Sequence, residues 1–247
     1  MGLIFIKLGG SLITDKRSSA PTPNVERIEL IADDLAAIAR ERKLLLANGA
    51  GSFGHPLARK YRISEGLRGN ELGVSETCLS VDELNRLVVR SLVKRGVPAI
   101  SVSPRSMVYK TSEGFVVFKE AVLMMIERGL VPVMYGDVVC DQEKGVTIFS
   151  GDDVPLQFVE KLDTAIFLVD VPGVLDAEGK LIRKLRSAEV MTLELESPSL
   201  DVTGGMKKKL SVAGKLAGRG VRVIIAGFEE RGDLIRILNG EKGTLIA

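Results

Sequence analysis

The sequence predicts an α/β protein with a mostly parallel sheet covered by helices on both faces. Short runs rich in Val, Ile and Leu alternate with longer amphipathic segments from end to end, which is typical of strands buried on both faces and the helices that cover them. The chain has 247 residues, 45% of them hydrophobic, enough for a sizeable core. Its 34 basic and 32 acidic residues give a net charge of +2, which indicates neither disorder nor a nucleic-acid partner.

The first elements can be taken in chain order. A buried strand is predicted over Leu3–Leu8, followed by the glycine turn Gly9-Gly10. Glu26–Arg42 carries apolar residues at helical spacing and is predicted as a helix. Lys43–Asn48 is the next strand, and it ends in a second glycine loop at Gly49–Gly54.

The same criteria locate the later elements. Strands are predicted over Ala99–Ser103, Val131–Tyr135, Thr147–Ser150, Ala165–Val169 and Val221–Ala226, and helices over Ser80–Arg95, Lys119–Arg128, Asp152–Lys161, Gly205–Arg219 and Glu229–Leu238. The polar stretch Arg59–Glu76 is predicted to be irregular and to form a flap. A third glycine turn, Gly204-Gly205, precedes the helix near the C-terminus. Because ligands bind beyond the carboxyl ends of parallel strands, we expect the three glycine loops to converge on one crevice.

The second glycine loop has two interpretations. Gly49–Gly54 matches G-x-G-x-x-G, the dinucleotide fingerprint of dehydrogenases, which also needs an acidic residue after a second strand about 20 residues on. The corresponding region, Arg68–Glu71, is not strand-like. The loop therefore indicates a more general cradle of backbone amides for phosphate.

Three lysines and the single histidine adjoin these loops. Lys7 lies within the first strand, Lys16 follows the first loop, Lys209 follows the third, and His55 follows Gly54. Each has an ordinary structural explanation: a snorkelling side chain, a solvated face or a structural histidine. Together they favour a polyphosphate site, because phosphates need positive charge and amide donors at the same place.

Ser150-Gly151-Asp152-Asp153 joins a predicted strand to a predicted helix. Helix capping accounts for one aspartate at least, and the other is available to hold lysines in place or to touch the metal of a nucleotide. The two cysteines, Cys78 and Cys140, form no disulfide framework or zinc motif, which favours a reducing compartment and a cytoplasmic location. No apolar run is long enough for a membrane span.

Several segments together carry a family resemblance, and they are Lys7-Leu8-Gly9-Gly10-Ser11, Thr14-Asp15-Lys16, Gly49–Pro56, Tyr135-Gly136-Asp137-Val138, Ser150–Asp153, Asp170–Val174, Asp201–Met206 and Leu238–Thr244. They span nearly the whole chain and resemble the amino acid kinase family. The histidine that follows Gly-Ser-Phe-Gly, His55, resembles the pattern of the isopentenyl phosphate kinase branch of this family, whose acceptor already carries a phosphate.

The resemblance implies a three-layer αβα sandwich around a mainly parallel sheet of about eight strands, as one domain over residues 1–247. It implies that residues 1–145 bind the acceptor and residues 146–247 bind ATP. The implied reaction is direct in-line transfer from Mg²⁺-ATP to isopentenyl phosphate, a small alkyl phosphate, giving isopentenyl diphosphate for isoprenoid biosynthesis. A homodimer is also implied.

Site residues follow from the resemblance by position. The implied catalytic residues are Lys7, Lys16, His55 and Asp152. The implied nucleotide-binding residues are Lys7, Leu8, Gly9, Gly10, Ser11, Gly51, Asp152, Asp170, Gly205 and Lys209. The implied acceptor-binding residues are Ala50, Gly54, His55 and Gly151, and no residue is assigned as a metal ligand.

The sequence departs from the family pattern at two positions. Asn48 stands where a histidine usually precedes the second loop, and we expect altered geometry at the strand end with activity retained. Pro172 replaces an aspartate near the expected nucleoside pocket, which removes a carboxylate and an amide donor and leaves the nucleotide preference open.

Other functions remain as alternatives. The main alternative is a kinase of the same fold that acts on the phosphonate fosfomycin, whose acceptor group is similar. A carboxylate kinase is disfavoured because it would not need His55. A nucleotide sensor without catalysis is disfavoured because it would not need all three lysines. The alkyl tail of the acceptor requires an apolar pocket. We expect it from Arg59–Glu76 and the helix around Ser80–Arg95. Leu84, Leu87 and Val88 recur there at helical spacing, and ordinary core packing is the favoured use for most of them.

Overall fold

The computed structural model describes residues 2–15, 18, 20–190 and 204–247, and their strands form two sheets. The large sheet contains β1 (Leu3–Leu8), β2 (Lys43–Asn48), β3 (Ala99–Ser101), β6 (Val131–Tyr135), β9 (Leu162–Val169), β10 (Lys184–Leu185), β11 (Arg222–Gly227) and β12 (Thr244–Ile246). Their spatial order is β10-β12-β11-β9-β1-β2-β6-β3. All neighbours are parallel except β11 and β12. The mainly parallel sheet of eight strands is confirmed.

A small second sheet was not predicted. It contains β4 (Val108–Thr111), β5 (Gly114–Val117), β7 (Asp137–Asp141) and β8 (Gly145–Phe149), in the order β5-β4-β7-β8. The strand predicted over Thr147–Ser150 corresponds to β8, which pairs with β7 as an antiparallel hairpin instead of joining the large sheet. This hairpin follows β6 directly in the chain and belongs to the small sheet.

Helices cover both faces of the large sheet. They are α1 (Gly10–Ile13), α2 (Val25–Ala39), α3 (Gly51–Lys60), α4 (Glu71–Val93), α5 (Glu120–Glu127), α6 (Val154–Gln157), α7 (Gly204–Ala217) and α8 (Asp233–Leu238). Successive residues of β1 point to opposite faces: Phe5 packs with α5 and α7 residues in one core, and Ile4 and Ile6 pack with α2 and α4 residues in the other. The result is the three-layer αβα sandwich.

Two predicted elements were wrong. Arg59–Glu76 is not an irregular flap, since it contains the end of α3, the 3₁₀ turn Ile63–Glu65 and the first turns of α4. There, Gly73 of α4 lies against the ring of Tyr61, so close that an added Cβ would fall 2.2 Å from it. The helix predicted over Asp152–Lys161 is divided into α6 and the 3₁₀ turn Val159–Lys161. No helix in the described part of the chain has the length and apolar character of a membrane span.

Candidate active site

A cavity of about 800 Å³ opens at the carboxyl ends of β1, β2 and β9. The three glycine loops predicted to converge all line it: Gly9-Gly10 after β1, Gly49–Gly51 after β2, and Gly205 in the first turn of α7. The β7–β8 hairpin supplies the remaining wall through Val138 and Ile148.

The first two loops touch each other through their backbones. An added Cβ on Gly10 would lie 2.5 Å from the Gly51 nitrogen, and one on Gly49 would lie 2.6 Å from the Gly10 nitrogen. Gly51 also has φ of +51°, and a Cβ there would meet Thr14 Oγ1 at 2.1 Å. Side chains at these positions would therefore push the loops apart, and glycine keeps their amides together at the cavity.

Thr14 joins the two loops. Its buried hydroxyl donates to the Gly10 carbonyl at 2.7 Å and accepts from the Ser52 amide at 3.0 Å. Ser52 in turn accepts from the Thr22 amide at 3.1 Å, so the segment between Thr14 and Thr22 is anchored to α3 at both ends. Lys16 belongs to that segment, and the residue itself lies outside the described residues.

Asp152 lies between two of the predicted lysines. Its Oδ1 is 2.7 Å from Lys7 Nζ and its Oδ2 is 3.5 Å from Lys209 Nζ. The side chains of Lys7, Asp152 and Lys209 are 5%, 7% and 13% exposed. The Lys7 contact is close but poorly aligned, so that Oδ1 has no well-directed hydrogen bond within the described part of the chain. The two lysines approach the anion from β1 and from α7, two elements that are far apart in the sequence.

Charges within this group are tuned by burial. Burial raises the pKa of Asp152, but the charges of Lys7 and Lys209 outweigh it and hold that pKa below its usual value. Burial, together with the nearby charge of Lys7, lowers the pKa of Lys209 to about 8. A partly desolvated, closely spaced pair of cations is suited to an anion with several negative charges.

Asp153 has a different role from its neighbour. Its Oδ2 accepts from the Ser150 amide at 3.1 Å and pairs with Lys208 Nζ at 2.8 Å. Lys208 also lines the cavity, and sequence reasoning missed it because it lies in a run of three lysines in which only Lys209 matched the family pattern.

His55 lines the same cavity from the second turn of α3. Partial burial and the charges of Arg59, Lys7 and Lys209 lower the pKa of His55. The imidazole is therefore neutral at pH 7 and offers one N–H donor. Gly54 packs against Ala50, where an added Cβ would lie 2.5 Å from the Ala50 Cβ, which leaves the start of α3 open to the cavity.

Asp170 and Ser11 meet on the nucleotide side proposed by the resemblance. Ser11 Oγ donates to Asp170 Oδ1 at 3.0 Å, which connects the loop after β1 with the loop after β9. The adjacent Pro172 is exposed, and its carbonyl accepts from the Gly227 amide at 3.2 Å. The proline is thus accommodated without loss of this backbone contact.

The structure brings the predicted site residues together with two exceptions. The ones that line the cavity are Lys7, Gly9, Gly10, Ser11, Ala50, Gly51, Gly54, His55, Gly151, Asp152, Asp170, Gly205 and Lys209. Lys16 lies outside the described residues. Leu8 does not line the cavity: its side chain is 1% exposed within the core between the sheet and α2, because the strand alternation that points Lys7 to one face points Leu8 to the other.

Asn48, at the end of β2, is buried in a small amide network. Its Oδ1 accepts from Asn85 Nδ2 at 2.9 Å, and Asn85 Oδ1 accepts from Ser101 Oγ at 2.6 Å. The Asn48 side chain therefore anchors the end of β2 to α4 and β3 and does not contribute to the cavity lining.

The apolar end of the cavity lies partly on the helix from which it was expected, but not at Leu84 and Val88. These two residues of α4 are buried in the core, the ordinary packing that was favoured for most of the apolar residues at this spacing. Earlier on α4, Thr77 and Val81 line the cavity, as do Val138 and Ile148 of the hairpin. Val138 falls in a family segment and Ile148 in a predicted strand, but the sequence did not indicate that they pair in a small sheet beside the cavity.

Within residues 2–15, 18, 20–190 and 204–247, no cluster of three or more His, Cys, Asp or Glu side chains has the arrangement to hold a metal ion. Both carboxylate oxygens of Asp152 face lysines, Oδ1 facing Lys7 and Oδ2 facing Lys209.

Comparison with known proteins agrees with this arrangement. A model of the amino acid kinase family matches residues 2–227. The isopentenyl phosphate kinase of Methanocaldococcus jannaschii is 34% identical over 259 aligned positions, which cover 99% of this chain and 98% of that protein. An X-ray structure of isopentenyl phosphate kinase matches with a TM-score of 0.84 and 30% identity, covering 99% of this chain and all of the other. A crystal structure of an isopentenyl phosphate kinase substrate complex matches with a TM-score of 0.83 and 26% identity over the full length of both chains. Because the family model matches residues 2–227 and a relative at 34% identity covers nearly the whole chain, the chain belongs to the amino acid kinase family.

Proposed function

We propose that this protein transfers the γ-phosphoryl group of ATP to isopentenyl phosphate, forming isopentenyl diphosphate by direct in-line transfer. The observation that carries the proposal is the layout of the cavity. Cations, glycine amides and His55 line it together with the apolar side chains of Val81, Val138 and Ile148. An alkyl monophosphate needs both kinds of lining, one for its anionic head and one for its apolar tail.

Phosphoryl transfer requires mainly positioning and charge neutralisation. Lys7 and Lys209 converge within ion-pair distance of Asp152, and we assign them to the β- and γ-phosphates. Asp152 keeps both ammonium groups in place before the substrates arrive. This pre-organisation matters because donors that are already oriented need no rearrangement during the reaction.

The acceptor side is assigned to His55 and the loop residues beside it. An acceptor phosphate brings negative charge, and a neutral imidazole N–H can donate to one of its oxygens. Ala50, Gly54 and Gly151 line the same region without side chains that would exclude a phosphate. The tail then extends toward Val81, Val138 and Ile148.

Mg²⁺ is part of the proposal as the partner of ATP. Mg²⁺ prefers oxygen ligands, and the nucleotide phosphates supply them together with water, so a dedicated protein cage is not required. When bound it would neutralise charge on the β- and γ-phosphates. The homodimer implied by the resemblance, and the division into acceptor and nucleotide halves near residue 145, stay predictions.

An acceptor assay tests the proposal. ATP consumption is measured with isopentenyl phosphate, with fosfomycin and with glutamate as separate acceptors. We expect turnover with isopentenyl phosphate alone. Preferred turnover of fosfomycin would assign the protein to the phosphonate alternative, and turnover of glutamate would overturn the reading of His55 as a phosphate donor.

Lys16 is assigned to the moving phosphoryl group on the family resemblance and on the anchoring of its segment at Thr14 and Thr22. Lys16→Ala should lower kcat by about 10²-fold or more, in line with other electrostatic stabilisers. Steady-state kinetics on variant protein of unchanged circular dichroism would measure this. A near-normal kcat would remove Lys16 from the role.

A further inference from the structure

A second ionic cluster lies behind the acceptor end of the cavity. Arg105, in the 3₁₀ turn Pro104–Ser106, forms a paired contact with Asp82 of α4: Nη1 to Oδ2 at 3.0 Å and Nη2 to Oδ1 at 2.9 Å. Arg105 Nη2 also donates to Asp137 Oδ1 at 2.8 Å. Tyr135 Oη donates to Asp82 Oδ1 at 2.6 Å.

Asp137 is the member of this cluster that lines the cavity. Its side chain is fully buried, and its oxygens accept from the amides of Val138 at 2.8 Å and Arg105 at 3.3 Å. Burial raises the pKa of Asp137, and the charge and hydrogen bonds of Arg105 oppose that rise. Among the described residues, Arg105 is the one cation in direct contact with this carboxylate.

A carboxylate in this place is a problem for the proposed reaction. The proposed acceptor is an anion, and like charges in a poorly solvated cavity repel over several ångströms. Asp137 directly precedes Val138, which lines the apolar end, so an uncompensated charge there would oppose entry of the acceptor. The bidentate geometry of arginine with Asp82 fixes the guanidinium where it can cancel the Asp137 charge.

We infer that Arg105 is a positioning residue for acceptor binding: it neutralises Asp137 in the cavity wall and ties α4 to the β7–β8 hairpin, which together form the apolar end. The inference rests on the proposed function, since it requires an anionic acceptor. Neither Arg105 nor Asp82 lines the cavity, so Arg105 acts through Asp137 and the wall rather than by touching the substrate.

The chain offers a matched control at the other end of β7. Lys110 Nζ pairs with Asp141 Oδ2 at 3.3 Å, and the Asp141 side chain is 1% exposed. This is again a partly exposed cation on a buried aspartate of the same strand, but neither residue lines the cavity. Lys110→Met therefore removes a comparable ion pair without changing the charge at the acceptor end.

The test compares three variants in steady-state kinetics: Arg105→Met, the double variant Arg105→Met with Asp137→Asn, and Lys110→Met. Arg105→Met should raise KM for isopentenyl phosphate at least about tenfold, with a much smaller change in KM for ATP. The double variant, which has the same net charge in the cluster as the wild type, should recover most of that loss. Lys110→Met should keep the wild-type KM for both substrates.

The outcomes separate the possibilities. Arg105→Met with an unchanged acceptor KM overturns the inference, as does a double variant no better than the single one, which would indicate a structural role. Should Arg105→Met fail to fold, the folded double variant decides: near-wild-type acceptor KM supports neutralisation, and a large increase contradicts it. A wild-type enzyme without activity on isopentenyl phosphate would instead refute the proposed function, so the two failures are distinguishable.

Discussion

At the scale of single residues, the site depends on the charge state of side chains that burial has moved from their ordinary values. Lys209 and His55 face the same cavity, and desolvation shifts both toward their neutral forms. The lowered pKa of Lys209, about 8, lies close to physiological pH. The lowered pKa of His55 lies further from physiological pH than that of an ordinary histidine.

The lysine predicts a pH dependence. Below its pKa of about 8 Lys209 is protonated and attracts ATP, and above it the free enzyme loses this charge. The value of kcat/KM for ATP should therefore fall as the pH rises through about 8, because this ratio reports ionisations of the free enzyme. Lys209→Arg, which stays charged throughout, should remove that fall. The same pH profile in wild type and variant would contradict the assignment.

For His55 we expect a difference between two substitutions. His55→Ala should raise KM for isopentenyl phosphate about tenfold or more and leave ATP affinity nearly intact, because a hydrogen bond to a charged group is lost on the acceptor side alone. His55→Gln retains a donor and should keep more activity. Acceptor kinetics and ATP titration of both variants measure this. Equal losses with weakened ATP binding would mean that the histidine is structural.

At the scale of elements, the site is the meeting of loops with the walls behind them. The glycine turns after β1 and β2 abut because neither carries a side chain at the contact. Helix α4 contributes to both the core and the cavity: Leu84 packs inward, and Val81, three residues earlier, lines the apolar end. The β7–β8 hairpin closes that end with Ile148, which is 39% exposed.

This division predicts separate effects on specificity and stability. Ile148→Ala or Val81→Ala should admit longer prenyl phosphates, raising kcat/KM for geranyl phosphate relative to isopentenyl phosphate about tenfold, since apolar walls discriminate by about 1–3 kcal/mol per methylene. The control Leu84→Ala should lower the unfolding free energy by about 2–5 kcal/mol without changing this ratio. Unchanged chain-length preference in both cavity variants would place the tail pocket elsewhere.

At the scale of the whole molecule, Asp152 connects elements that lie far apart along the chain. Lys7 comes from the first strand and Lys209 from α7, and the carboxylate between them offsets a pair of buried cations. The site is therefore part of what holds β1, α6 and α7 together.

Asp152→Asn should lower the unfolding free energy by about 3 kcal/mol, because it leaves buried cations without their counterion. Saturating ATP should recover part of the loss by supplying phosphate in its place. Denaturant titrations with and without nucleotide measure both effects. Glu230→Gln, which removes an exposed pair with Arg236, is the control and should leave stability within experimental error. An Asp152→Asn protein as stable as wild type would show that the lysines need no counterion.

The sequence by itself determined the framework of the site. The apolar runs at Leu3–Leu8 and Lys43–Asn48 were located correctly to the residue, since a short run of buried residues ending in glycine is a local signal. The loops that follow were located for the same reason, and Lys7, Lys209 and His55 beside them line the cavity; the roles assigned to them stay predictions. Leu8 shows the limit of carrying over a motif, because strand alternation turned its side chain into the core.

Only the tertiary structure decided which distant residues complete the cavity. Three strands of the small sheet, β4, β5 and β8, are half-buried or irregular in burial, so they carry no strong alternation for a sequence pattern to reveal. Lys209 reaches Asp152, and Arg105 reaches Asp137, across 57 and 32 positions of the chain. Such contacts arise from packing of complete elements, and nothing local in the sequence specifies them, because hydrophobic periodicity determines which face of an element is buried but not which partner buries it.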